Sequence, residues 1–103
     1  MAAFNFTPVF DNIMRLGVVL DKLAEGAHLD SYAIRCWTEI QLQMGISPCE
    51  ALGVLNDTGL ASACEVDLGN AVAMRALHLA SSNPVSLMDW DNNYGNEEDK
   101  CIL

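Results

Sequence analysis

Three helix-start signals, each answered by a short apolar run, constrain this chain more than any other feature of it. Thr7-Pro8, Ser47-Pro48 and Asp67 each set a capping residue ahead of apolar positions that recur at helical spacing. In the first helix these are Phe10, Ile13, Gly17, Leu20 and Ala24, widened by Val9, Leu16 and Leu23, with Asp11 and Lys22 suiting the dipole and Gly26 to end it. In the second, Ser47 caps, Pro48 takes the first position and Glu50 closes a capping box. Its apolar face is Ala51, Leu52, Val54 and Leu55, ended by Asn56-Asp57-Thr58-Gly59. The third, capped by Asp67, carries Leu68, Ala71, Val72 and Leu79 near one face, flanked by Met74 and Leu77, before Ser81-Ser82-Asn83-Pro84 breaks it.

Strand candidates follow each helix, at 31–37, 60–64 and 85–88. Arg35 inside the first implies an edge position or a partner at the strand end, and residues 41–45 read as loop or one helical turn. The order helix, strand, helix, strand, helix, strand predicts an α/β fold: a parallel sheet of three or more strands with flanking helices, a partial Rossmann-like domain. With 103 residues the chain is one domain at most, read as a single incomplete α/β domain over 1–103. After the polar segment 89–100, Cys101-Ile102-Leu103 reads as the opening of another strand that stops short.

Charge and composition exclude whole function classes. A net charge of −9 with only five Lys and Arg argues against DNA, RNA and anionic membrane surfaces, all of which need clustered cations. No stretch approaches the ~20 apolar residues of a membrane span, and no basic-then-apolar signal core is read near Met1. Cys101 stands third from the end, where a prenylation box needs the fourth. A cytoplasmic protein is the expectation. Cys36, Cys49, Cys64 and Cys101 contain no Cys-x-x-Cys pair, so reduced, mostly buried thiols are expected for at least three of them rather than a zinc knuckle or a redox dithiol.

Chemistry concentrates where the strand candidates end. Glu39 follows Trp37, Glu65 follows Cys64 and Asp89 follows Met88. If the strands are parallel neighbours, these acids emerge at the carboxyl edge, where open α/β sheets hold their ligands, and two hard oxygen donors there suit a divalent ion or acid/base work. A calcium loop starting at Asp89 fails, because Tyr94 fills the glycine slot and Lys100 the bidentate-Glu slot. His28 and His78 lack a second histidine at ligand spacing and read as structural or surface residues. Trp37 and Trp90 read as core or rim packing ahead of sugar-stacking platforms. There is no Gly-rich phosphate loop and no nucleophile elbow.

Four blocks carry a family resemblance: Ala33-Ile34-Arg35-Cys36-Trp37, Gly45-Ile46-Ser47-Pro48-Cys49, Ala63-Cys64-Glu65-Val66-Asp67 and Asp89-Trp90-Asp91-Asn92-Asn93-Tyr94-Gly95. Together they resemble the L-fucose isomerase and L-arabinose isomerase superfamily, nearer its fucose-isomerase-like members. The resemblance implies aldose–ketose interconversion through an enediol with Mn²⁺ or another divalent cation, held by a Glu, an Asp and a His. Carried over, Glu65 and Asp89 are metal ligands and acid/base groups, with Asp91 the alternative to Asp89. Asp91 and Asn93 would otherwise stand behind the ligands or touch sugar. Family members are much longer, with three domains and the ligating His in a later one; neither His28 nor His78 lies in a matching block. The expectation is a middle-domain fragment that holds metal weakly and is inactive alone, its sugar substrate belonging to the full-length parent. The competing expectation is a standalone small α/β module that binds or self-associates without catalysis.

Overall fold

The computed structural model describes residues 7–89 and 91–102. Trp90 and Leu103 lie outside the described residues, as do the side chains of Asp91 and Asn93. The elements run α1 (Thr7–Ala27), β1 (Ser31–Ala33), α2 (Glu39–Met44), α3 (Cys49–Asp57), β2 (Ala61–Ala63), α4 (Leu68–Ser81), β3 (Asp91–Tyr94) and β4 (Glu97–Ile102). The fold is mixed α/β. β1 and β2 pair in parallel with Ser31 opposite Ala61 and Ala33 opposite Ala63.

The two-residue period of the strands divides the core into two layers. Ala61 and Ala63 face α4, packing with Ala71 and Met74 and with the half-buried Ala33. Tyr32 and Ile34 face the other way, onto Leu20 of α1 and Leu52 and Leu55 of α3. The small side chains of β2 let α4 approach closely. Gly17 does the same between α1 and α3, where an added Cβ would sit 3.9 Å from that of Ala51.

The expected third strand does not form. Val85 and Leu87 do pack beside β2, against Ala61, Ala63 and Met74, yet 84–89 joins no ladder among the described residues. The reason lies on the outer edge of β2. Ala63 turns its peptide toward β1, where its carbonyl accepts the Ile34 N–H at 3.0 Å. Ser62, one residue back, therefore turns its peptide the opposite way. The buried Asn56 amide already occupies that edge: the Ser62 N–H donates to Asn56 Oδ1 at 2.7 Å, and Asn56 Nδ2 donates to the Ser62 carbonyl at 3.4 Å. A side chain stands where a neighbouring strand would bond, and Pro84 brings no donor to compete.

Other expectations are corrected by local geometry. The segment after Asp89 is an antiparallel hairpin, Asp91 opposite Ile102 and Tyr94 opposite Glu97, so Cys101-Ile102 closes a strand pair rather than opening a new sheet edge. α1 runs through Gly26 and ends at Ala27, where His28, with a φ of 54°, breaks the helix. Ser47 makes no cap. Pro48, fully buried, already has helical dihedrals, and its carbonyl accepts the Leu52 N–H. Asp67 does cap α4, accepting the Asn70 N–H at 2.9 Å, and that contact holds its carboxyl below the usual range. The inward face of α4 is Ala71 and Met74, while Leu68, Val72, Leu77 and Leu79 are exposed.

Replacing Asn56 with Ala leaves the buried Ser62 peptide without partners. It should lower unfolding stability by about 2 kcal/mol or more, at an unchanged denaturant slope. Urea unfolding of the two chains checks this; a loss below roughly 0.5 kcal/mol would show that another group takes over that edge.

Candidate functional site

Because β1 and β2 run parallel, the chain leaves both at the same edge, and the residues following them meet there. A cleft of about 190 Å³ opens at this point, lined by Cys36 and Trp37 after β1, Pro48 and Cys49 at the start of α3, and Glu65 after β2; Asp89 comes in from the segment beside β2. Glu65 and Asp89, expected as a pair, thus share one cleft. Glu39 does not join them: it opens α2 and accepts from Gln43 within its own helix.

Glu65 is held by the exit of β1. Its carboxylate Oε1 accepts the Trp37 indole N–H. Its backbone N–H donates to Cys36 Sγ at 3.3 Å, and the next N–H, that of Val66, donates to the Ile34 carbonyl at 3.0 Å. Holding is needed here. Glu65 and Val66 are consecutive non-glycine residues in the left-handed region, at φ 56° and 59°, a conformation that costs on the order of 1 kcal/mol or more per residue. A loop so strained persists because three contacts from one neighbouring strand exit define it. It turns the chain directly from β2 into the Asp67 cap of α4.

Three unpaired thiols flank the carboxylates: Cys36 is buried, Cys64 half-buried and Cys49 exposed, while the side chain of Cys101 lies outside the described residues. Burial first, then the neighbouring Cys36 and Cys49 thiols, pushes Cys64 up to about 11. His28 serves the end of α1, and His78 Nδ1–H donates to the Asn83 carbonyl while its ring packs on Gly59. His28 is exposed. Among the described residues, no three of His, Cys, Asp and Glu stand together in a way that could hold a metal ion. No helix there is long and apolar enough to cross a membrane.

Over 71 residues, 68% of this chain, the sequence is 31% identical to the sulfoquinovose isomerase of Priestia aryabhattai, of which it covers 16%. Over 88 residues, 80% of the chain, it is 31% identical to the sulfoquinovose isomerase of Clostridium sp. (strain MSTE9), covering 20% of it. That of Alkalicoccus urumqiensis is 30% identical over 76 residues, with 17% covered. The chain spans only about a sixth to a fifth of the length of these curated relatives. No family model and no solved structure matches it.

Sequence reasoning placed the two acids and missed what steadies one of them. The signal was present: Trp37 ends the first strand run and Glu65 follows the second, and parallel pairing brings the two strand exits to the same edge.

The raised Cys64 pKa carries a testable sign. A thiol whose folded pKa exceeds its unfolded value adds stability below the unfolded value, and that contribution is lost as pH rises through about 11. Alkylation by iodoacetamide near neutral pH should therefore label exposed Cys49 well before Cys64, whose rate should keep climbing toward about pH 11. Mass spectrometry of the peptides reads both; equal rates would refute the assignment.

Proposed function

We propose that this chain is part of a metal-dependent aldose–ketose isomerase of the L-fucose isomerase type, to which it contributes the carboxylates Glu65 and Asp89. The observation that carries the reading is their convergence, from separate segments, on one cleft at the carboxyl edge of a parallel strand pair. The partial similarity to proteins named sulfoquinovose isomerase supports it, and we propose a sugar, sulfoquinovose or a relative, as the substrate of the parent protein.

The donor set suits Mn²⁺ or another hard divalent cation as far as it goes. Glu65 and Asp89 would hold the ion, with Asp91 the alternative second ligand. Two carboxylates fill part of a coordination shell, so the ion is weakly held by this chain, and the remaining positions fall to water or to residues the parent supplies elsewhere. When bound, such an ion polarises the sugar carbonyl and stabilises charge developing on its oxygen. The protein's own task is proton movement: a carboxylate takes the proton from the carbon beside the carbonyl and returns it to the former carbonyl carbon, while the hydroxyl proton of that first carbon passes to the former carbonyl oxygen, so that aldose becomes ketose through an enediol. We place this work in the cytoplasm, and expect no nucleic acid or membrane among the partners.

Electron paramagnetic resonance of free Mn²⁺ tests the site. The chain should deplete the free-ion signal weakly, and Glu65→Gln or Asp89→Asn should abolish that uptake. Depletion unchanged in both variants would refute the assignment. The 103-residue chain by itself should show no aldose–ketose turnover. Clear turnover, lost on Glu65→Gln, would overturn that claim of inactivity.

A second reading, a self-associating module without catalysis, is favoured by one observation. An apolar cleft of about 420 Å³ lies between α1 and α3, lined by Ile13, Met14, Val18, Val54 and Leu55, with Phe10 exposed on the same helix. Patches of this kind mark contact surfaces. Under this reading, light scattering should show a mass that rises with concentration; a sharp monomer at high concentration would count against it.

A further inference from the structure

We infer that Trp37 is the positioning residue of Glu65: its indole N–H fixes the orientation of the carboxylate that holds the ion. The inference rests on the reading of Glu65 as a metal ligand. Trp37 is 59% exposed, so burial of its ring does not explain its place at the cleft. What the side chain does there is donate to Glu65 Oε1. An indole N–H only donates, so Trp37 cannot ligate a cation itself; it can only orient the group that does. With one carboxylate oxygen engaged, rotation of the carboxylate is restricted while Glu65 lines the cleft. An exposed glutamate without such a partner samples many rotamers, and ordering it would fall to the ion.

The contact is the outermost of three that the β1 exit makes. The Ile34 carbonyl and Cys36 Sγ fix the strained backbone of 65–66, and Trp37 extends the same grip to the side chain. Partners of this kind, one bond removed from a metal, change affinity when they are lost even though they never touch the ion.

The test uses the chain with Trp90→Phe, which leaves one indole. In nitrogen–proton correlation spectra without metal, the Trp37 indole resonance should shift on Glu65→Gln. Mn²⁺ uptake should then weaken about tenfold on Trp37→Phe, with the far-ultraviolet circular dichroism unchanged. An indole resonance indifferent to Glu65→Gln would overturn the inference, as would Mn²⁺ uptake equal with and without the Trp37 indole. If the parent chain takes up no Mn²⁺ at all, the metal reading of Glu65 fails and the inference falls with it. That case is distinguished from the others because it is seen before Trp37 is altered.

Discussion

The carboxylate cleft depends on one short parallel ladder, three residues of β1 against three of β2. Parallel pairing requires a crossover, and the two helices α2 and α3 supply it. It also sends both strand exits to the same edge. An antiparallel pairing of these two segments would carry Trp37 and Glu65 to opposite ends. The Asn56 amide secures the arrangement from outside, satisfying the Ser62 peptide on the edge that β1 does not use. The sheet is held at two strands by a side chain that imitates a third.

The site inherits its precision from that ladder rather than from its own burial. Glu65 and Asp89 are both exposed, and exposed carboxylates are ordinarily mobile. Glu65 escapes this because its backbone and side chain are tied to residues leaving β1. The strain at 65–66 is compatible with a functional role, since left-handed non-glycine pairs survive only where surroundings over-determine them. Asp89 reaches the cleft differently, carried by a coil whose Val85 and Leu87 are anchored in the α4 layer.

The outer surface is a second theme. Phe10, Val18, Val54, Val72, Leu77 and Leu79 are all more than half exposed, on α1, α3 and α4. Helices of an α/β layer commonly pack against something on their outer faces as well. The relatives this chain resembles are about four times its length, since the 71 and 88 matched residues make up 16% and 20% of them. Either a larger parent or a second copy would satisfy the same apolar faces, and the two readings of function differ on which.

The sequence alone was enough to establish the alternation of helices and apolar runs, the Asp67 cap, the break at Asn56 to Gly59, and Glu65 at the exit of a strand. These are local signals: a cap, a turn or a two-residue period is written in a few adjacent residues. It could not show that 85–88 lies beside β2 without bonding to it, because that depends on an Asn six residues upstream of Ser62 reaching the strand edge first. Nor could it show that 91–102 folds back on itself, that α4 turns Met74 rather than Leu79 inward, or that Trp37 grips Glu65 across 28 residues of chain. Those outcomes are competitions between distant groups for the same donor, acceptor or apolar surface. Only the tertiary structure, where the competitors are brought together, decides which one wins.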